Sequence, residues 1–438
     1  MSFITNIRSV AKYESKILVR SWFFRIFTLL AVVFLGFFNF AMMLMEDNFG
    51  LWFAKSVSSN IPYLNLLLLN TGQAVVAVFL SSEFLKRDKK LDTSEVFYVR
   101  PLSNAEYVVG KIWGNLRVFL FLNLLVLAIV LAFNFMASGV TVDLPAYLVY
   151  FFLISIPTLI FIIGLSIFLM LLLKNQALTF ILLLGYIGLT LFYIQDKFYY
   201  LFDYMVYNLP LFKSTIVGFS NLELILNHRA IYFFAGLGFI FFTIFLFKRL
   251  PNARRSHYPW LFLSFCMFLL MGTAGFRHVR SILREGEMRA LYTSINNKYV
   301  YEPKMAIDYY DISVEQKSET IRSVVGMEGT ALAASEVFIF CLNPGLRVEE
   351  VKDGEKSLNF KREEQILAVD FGRKIEKGDT ISFSVSYEGR IKDDFCYLDI
   401  PEEVLQQPYD KEMLKLAAEK CGYIFTLEDN VIDGGAGM

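Results

Sequence analysis

The chain has 438 residues, of which 55% are hydrophobic and 16% aromatic, and it contains 45 phenylalanines. Lysine plus arginine equals aspartate plus glutamate, 42 against 42, so the formal net charge is zero. This composition argues against a purely soluble protein. The balanced charge gives no indication of nucleic-acid binding.

Seven long apolar runs fill the first two-thirds of the chain. Each is close to the roughly 20 apolar residues with which a helix crosses a ~30 Å hydrocarbon core. They lie at residues 22–45, 61–82, 112–137, 146–173, 177–194, 230–247 and 259–276. The pattern predicts an α-helical polytopic membrane protein with a six-helix core at 22–250. A basic linker and a seventh span follow at 251–276.

The N-terminal residues 1–21 precede the first run without a small-residue cleavage site, so we expect a retained helix and not a signal peptide. Within this segment, residues 3–20 have the spacing of an amphipathic helix, whose apolar face is formed by Ile7, Val10, Ile17 and Leu18. Such a helix lies in the membrane interface. The alternative is a solvated helical leader.

Lysine and arginine placement predicts the topology, because positively charged loops stay cytoplasmic. The N-terminal segment, the 83–111 loop and the link after the sixth run are basic, whereas the intervening loops contain fewer cations. We therefore expect the N-terminus inside the cytoplasmic (inner) membrane and residues 277–438 outside. One flank opposes this assignment, since four arginines follow the seventh run: Arg277, Arg280, Arg284 and Arg289.

The apolar spacing changes after Phe276. Residues 381–388 alternate strictly between apolar and polar side chains, which is typical of a half-buried strand. Further strands are predicted at 299–314, 336–342, 346–351 and 365–371, with turns at Asn343-Pro344-Gly345, Asp353-Gly354 and Lys377-Gly378-Asp379. Residues 409–421 have a helical pattern. The C-terminal domain is therefore predicted to be an antiparallel β-sandwich with a helical tail.

Polar residues interrupt the second apolar run, and helix-perturbing residues interrupt the fourth. Asn70, Thr71 and Gln73 lie near the middle of the second run. Polar groups at membrane depth need partners, so these three residues predict either hydrogen bonds between helices or an intramembrane polar path. In the fourth run, Pro157 and Gly164 predict a kink or a tilt.

Sequence motifs of ATP-binding and zinc-hydrolase sites are missing from the chain. It contains neither GxxxxGK[ST] nor HExxH, and its histidines are His228, His257 and His278. Scattered single histidines are more often structural than metal ligands. We therefore expect no catalytic residue, no metal and no cofactor in this chain.

Residues 81–114 read SSEFLKRDKKLDTSEVFYVRPLSNAEYVVGKIWG. Ser103 and Glu106 have the spacing of a capping box, which predicts a short helix able to dock on a soluble partner. With the preceding two spans, this segment resembles the ABC-2-type transporter permeases, in which the corresponding loop couples to a separate ATPase subunit. The resemblance implies a permease dimer and a coupling role for Glu83, Arg87, Asp88, Glu95, Arg100, Pro101, Glu106 and Lys111.

The C-terminal segment has a resemblance of its own. FCLNPGLRVEEV, ILAVDF and IEKGDTISFSVSYEGRI are similar to the N-terminal β-sandwich of aminopeptidase N-like zinc metallopeptidases. The peptidase motifs that would follow such a domain do not occur, so no catalytic residue is implied. The leading hypothesis is a permease subunit of an ABC-type transporter. The alternatives are the membrane anchor and non-catalytic front part of a zinc aminopeptidase, or a non-enzymatic receptor or scaffold.

Overall fold

The structure, a computed structural model, describes residues 3–44, 58–90, 102–136, 142–194, 197–209, 211, 213, 219, 221–247, 258–317, 320–392 and 395. For residues 43–44 and 81–90 it describes the helical backbone alone. The chain forms two compact units, one ending at Ser281 and the other beginning at Ile282.

Helices dominate the first unit because its apolar runs contain few residues that break a helix. In chain order they are α1 (Phe3–Arg20), α2 (Trp22–Leu44), α3 (Asn60–Lys90), α4 (Asn104–Met136), α5 (Leu144–Tyr150), α6 (Ile156–Leu173), α7 (Gln176–Phe192), α8 (Leu222–Leu246) and α9 (Tyr258–Lys298).

Six stretches of the described residues are long and apolar enough to cross a membrane. They comprise α2, α3, α4, the combined stretch Leu144–Leu173, α8 and α9. Six of the seven apolar runs thus correspond to helices of membrane-crossing length. The remaining run forms α7, which is apolar but has 17 residues.

Several helices extend beyond the apolar runs from which they were predicted. α3 continues to Lys90 and α4 begins at Asn104, so both ends of the predicted 83–111 loop are helical. The sixth apolar run begins at residue 230, which leaves His228 and Arg229 in the loop before it, but α8 begins at Leu222 and includes both residues. The apolar criterion ends a helix at a charge, whereas α8 includes Arg229, whose guanidinium has hydrogen-bond partners.

The predicted irregularity at Pro157 is a π-helical turn. Residues Phe151–Ser155 form this turn between α5 and α6, and Pro157 lies in the first turn of α6. Pro157 has no N–H with which to bond the carbonyl of Leu153. Farther along, α6 and α8 meet at glycines: a Cβ on Gly164 would lie 2.6 Å from the Gly236 carbonyl oxygen.

The second unit contains two antiparallel sheets. Strands β1 (Met305–Lys317), β2 (Thr320–Ala331), β8 (Thr380–Gly389), β4 (Leu346–Asp353) and β5 (Lys356–Ser357) form one sheet in that order. Strands β3 (Ser335–Cys341), β7 (Ile366–Ile375) and β6 (Asn359–Glu363) form the other. The predicted antiparallel sheet domain is confirmed.

Both sheets contribute to one hydrophobic core. The ring centroids of Phe371 on β7 and Phe383 on β8 are 5.5 Å apart, and Phe338 and Val351 are fully buried beside them. The predicted turns occur at Gly354 and Gly378, which have φ of +59° and +96°. Strand β2 was missed because Gly326 and Gly329 interrupt its alternation. The predicted helix at 409–421 lies outside the described residues.

Candidate functional site: buried polar groups in the helical unit

A cluster of four buried polar residues lies between α3, α4 and the π-helical turn. The polar cluster consists of Asn70, Gln73, Asn123 and Ser155, all at most 1% exposed. Asn123 donates to Gln73 Oε1 at 2.8 Å, while its own Oδ1 accepts from Asn70 at 3.0 Å and from Ser155 at 2.8 Å. One asparagine therefore joins polar groups from three segments.

Among the residues that the structure describes, two atoms of the polar cluster have no hydrogen-bond partner: Asn70 Oδ1, an acceptor, and Gln73 Nε2, a donor. A buried polar group without a partner costs free energy, so such atoms are suited to a ligand or water that both donates and accepts. Of the three residues of the predicted polar path, Asn70 and Gln73 both bond Asn123 in the polar cluster. Thr71 is not part of the polar cluster, since its hydroxyl donates to the Leu67 carbonyl of its own helix at 2.8 Å.

The sequence analysis missed Asn123 and Ser155, although their polarity within apolar runs was a usable signal. It also missed a neighbouring pair, Asn39 on α2 and Asn65 on α3. These two amides exchange hydrogen bonds of 2.7 and 3.1 Å and are fully buried. The packing of α2 on α3 therefore includes a specific polar contact as well as apolar contact.

Arg229 is buried in α8 and hydrogen-bonds to neutral oxygens of other segments. Its Nε donates to the Leu153 carbonyl at 2.7 Å, and its Nη2 donates to the Thr158 hydroxyl at 2.9 Å. Its Nη1 donates to the Tyr204 carbonyl at 2.9 Å. Arg229 therefore links α8 to the π-helical turn and to the segment that follows α7.

His228 and His278 form a pair that the sequence analysis did not foresee. Their ring centroids are 5.1 Å apart, although 50 positions separate them in the chain. Each Nε2 lies within hydrogen-bond distance of a carbonyl, that of Tyr200 at 3.0 Å and that of Tyr199 at 2.8 Å. Since a carbonyl only accepts, Nε2 bears the proton in both rings. The three histidines were expected to be scattered, but His228 and His278 lie next to each other. His257 lies outside the described residues.

The residues that receive these bonds belong to an irregular segment between α7 and α8. We name residues 197–209, 211 and 213 the inserted segment, because Tyr204, Val206 and Leu211 within it are fully buried in the helical unit. The many aromatic residues of this segment are typical of the membrane–water boundary. Its aromatic residues Phe198, Tyr199, Phe202 and Tyr207 are indeed partly exposed, but its central part is not.

Side chains of the surrounding helices bond the backbone carbonyls of the inserted segment. The Tyr63 hydroxyl donates to Val206 O at 3.4 Å, the Tyr150 hydroxyl to Leu211 O at 2.7 Å, and the Ser59 hydroxyl to Lys213 O at 2.7 Å. Buried irregular backbone requires such partners. The left-handed conformations of Phe198, Tyr199 and Tyr200 are unfavourable outside glycine. The carbonyls of Tyr199 and Tyr200 accept hydrogen bonds from His278 and His228.

Asp203 is the buried acid of the inserted segment. Its carboxylate accepts a hydrogen bond from the Asn208 backbone N–H at 2.9 Å. Burial raises the pKa of Asp203, while its backbone hydrogen bonds and the charge of Arg229 act in the opposite direction. The carboxylate thus partly offsets the buried guanidinium charge without an ion pair between the two among the described residues.

The predicted coupling segment is described only from Leu102 onward and along the backbone of α3. Ser103 N donates to Glu106 Oε2 at 2.6 Å and Glu106 N donates to Ser103 Oγ at 3.1 Å, so the predicted capping box is confirmed. It begins the long helix α4 and not a short separate helix. The side chains of Glu83, Arg87 and Asp88, and residues Glu95, Arg100 and Pro101, lie outside the described part.

Glu106 and Lys111 both contact α1. Asn6 donates to Glu106 Oε1 at 2.9 Å, and Lys111 Nζ lies 3.1 Å from Glu14 Oε1 in an ion pair whose side chains are 1% and 4% exposed. These two residues therefore connect helices within the chain. Their predicted role in binding an ATPase remains a prediction.

α1 packs along the first half of α4 through two glycines. A Cβ on Gly110 would lie 2.7 Å from Val10 Cβ, and one on Gly114 would lie 2.8 Å from the Ala11 carbonyl oxygen. Ser15 Oγ donates to the Gly114 carbonyl at 2.6 Å. The apolar face that was expected in the membrane interface thus includes Val10 and Leu18, which are buried in protein.

Among the residues that the structure describes, no group of three or more His, Cys, Asp or Glu side chains could hold a metal ion. The site is a set of buried amides, hydroxyls and imidazoles, with the guanidinium of Arg229 and the carboxylate of Asp203. Such groups can bind and orient polar molecules by hydrogen bonding.

No protein-family profile and no curated protein matches the chain. Among solved structures, it has a weak likeness to a two-domain M1 zinc metallopeptidase mutant bound to L-tryptophan and to an M1 zinc metallopeptidase mutant from Deinococcus radiodurans bound to a Tyr-Ser-Ala substrate. Both matches have 17% identity and a TM-score of 0.19, and cover 20% of this chain and 21% of the other. The chain thus spans about a fifth of these proteins, and a likeness at this score carries no argument.

Proposed function

We propose that this chain is a membrane-spanning permease subunit of an ABC-type transporter, driven by a separate ATPase subunit. The observation that carries the proposal is the polar cluster. Asn70, Gln73, Asn123 and Ser155 are buried within helices that are apolar enough to cross a membrane. Polar groups at that depth are costly and mark substrate or ion pathways.

A simple membrane anchor would need none of these groups. Two unpartnered atoms, Asn70 Oδ1 and Gln73 Nε2, leave the polar cluster incomplete without a further hydrogen-bonding molecule. The transported molecule, in this proposal, exchanges hydrogen bonds with the amides of α3 and α4. The inserted segment and the buried Arg229 lie next to the same π-helical turn and control access to the polar cluster.

The proposed coupling runs through the segment between α3 and α4. Of its charged residues, Glu83, Arg87, Asp88, Glu95 and Arg100 would meet the ATPase on the cytoplasmic side, whereas Glu106 and Lys111 contact α1. The sheet unit would lie outside the inner membrane. ATP hydrolysis would shift the permease between two conformations, and a dimer of permease subunits completes the transporter. α4 would carry the movement directly, because the capping box of Ser103 and Glu106 begins the helix that contains Asn123.

The experiment is a charge reversal in the coupling segment. The double variant Arg87→Glu with Glu95→Arg is purified from native membranes beside the wild-type chain. We expect the wild type to retain an ATPase subunit and the variant to lose most of it. A matched control reverses a charge pair of the sheet unit, Arg322→Glu with Glu388→Arg, whose side chains lie 2.8 Å apart. Equal retention of the ATPase by all three chains would refute the coupling proposal.

A further inference from the structure

α1 has a second face, which lies opposite its contact with α4. Four basic residues occur along it at intervals of four: Arg8, Lys12, Lys16 and Arg20, all exposed. At 100° per residue such a series turns only about 40° at each step, so it forms one stripe roughly 18 Å long. We name these four residues the basic stripe.

Within the first 45 residues of the sequence, acidic side chains do not offset the basic stripe. Glu14 is the only acidic residue between positions 1 and 45, and its buried carboxylate faces Lys111 on α4. Like charges four positions apart on a helix repel one another and weaken it. Packing on α4 holds the helix in place, and an anionic partner would remove the repulsion.

The position of the basic stripe identifies that partner. Ser21 alone separates α1 from α2, which is apolar enough to cross a membrane. At the start of α2, Trp22 is 75% exposed and Phe23 and Ile26 are also exposed, a composition typical of the boundary between headgroups and hydrocarbon. Arg25 Nε donates to the Val19 carbonyl at 3.0 Å and connects the two helices across this boundary.

We infer that the basic stripe binds the phosphate headgroups of anionic lipids on the side of the membrane where α1 lies. Clusters of lysine and arginine next to a span are attracted to an anionic leaflet. The exposed apolar side chains of α2 follow directly after the basic stripe. A lipid surface requires such an apolar continuation, whereas a soluble acidic protein does not. This inference rests on the membrane placement within the proposed function, but not on the ATPase.

The test compares lipids bound to the full chain. Wild-type protein and the variant Arg8→Gln, Lys12→Gln, Lys16→Gln and Arg20→Gln are extracted in mild detergent from vesicles of phosphatidylcholine with about 30% phosphatidylglycerol. Glutamine keeps a high helix propensity, so α1 should persist. A control with the same charge change in the sheet unit replaces Lys317, Lys356, Lys361 and Lys377 with Gln.

Mass spectrometry of the retained lipids gives the phosphatidylglycerol-to-phosphatidylcholine ratio. We expect several-fold enrichment of phosphatidylglycerol for the wild type and the control, and loss of the enrichment for the stripe variant. Equal ratios in all three proteins would overturn the inference. A stripe variant that keeps the wild-type lipid ratio but loses the ATPase subunit would also overturn it. Failure of the permease assignment would appear separately, as wild-type chain without an ATPase but with the lipid enrichment intact.

Discussion

Arg229 bonds the Leu153 carbonyl oxygen, to which Pro157 has no N–H to donate. The distance from Arg229 Nε to this oxygen is 2.7 Å. The proline removes the helical donor of this oxygen, and an arginine of another helix supplies a donor instead. The same guanidinium bonds Tyr204 in the inserted segment, so one side chain joins the π-helical turn, α8 and that segment.

Replacing Arg229 with lysine should destabilise the helical unit even though the charge is kept. A lysine ammonium cannot reproduce the fork of donors that reaches Leu153, Thr158 and Tyr204 at once. We expect a loss of roughly 1.5–3 kcal/mol, the scale of hydrogen bonds to a charged group. Thermal unfolding in detergent measures it. Arg280→Lys, at an exposed position of α9, is the control and should leave the transition unchanged; equal shifts for the two variants would contradict the assignment.

The change Asn123→Leu should disrupt the polar cluster. It removes partners of Asn70, Gln73 and Ser155 together and leaves their buried polar atoms with fewer hydrogen bonds. Each unsatisfied group costs about 1–3 kcal/mol, so the melting temperature should fall clearly. Thr71→Val is the control, because Thr71 bonds within its own helix. A threonine variant as unstable as the asparagine variant would show that the polar cluster has no special role.

Two glycine-to-alanine substitutions should change stability in opposite directions, because Gly114 lies in the contact of α1 with α4 and Gly185 does not. An alanine generally stabilises a helix relative to glycine by about 0.5–1 kcal/mol. Gly185→Ala should show that gain, since nothing lies within 4 Å of its Cβ position. Gly114→Ala should instead loosen α1, because the new Cβ meets Ala11 and Glu14 at 2.8 Å. Hydrogen exchange of residues 3–20 should rise in the Gly114 variant alone; unchanged exchange would argue that α1 does not pack there.

Local sequence patterns predicted the helices and strands of this chain better than they predicted the contacts between them. The alternation in 381–388 predicted β8, and the spacing of Ser103 and Glu106 predicted a cap, because both depend on neighbouring residues. The pairing of His228 with His278 depends on the packing of α8 and α9, for which the sequence has no local signal. Arg229 lies just before the sixth apolar run, and its partners are carbonyls and a hydroxyl that only the fold supplies.

The proposed topology places the sheet unit outside the inner membrane. A single cysteine at Gly354, an exposed turn with nothing near its Cβ position, tests this after the four native cysteines are replaced. We expect an impermeant thiol reagent to label intact cells, or spheroplasts if an outer barrier is present. Labelling that occurs only after lysis would reverse the orientation and would place the coupling segment on the wrong side for a cytoplasmic ATPase.

ATP hydrolysis by the complex purified through this chain from its native membrane tests the permease assignment most directly. We predict hydrolysis that co-purifies with the wild type, is lost with Arg87→Glu and Glu95→Arg, and changes several-fold with Asn123→Leu while the ATPase stays bound. The last result would follow from coupling between the polar cluster and the ATPase. A wild-type chain that purifies intact from the membrane without ATP-hydrolysing activity would contradict the account.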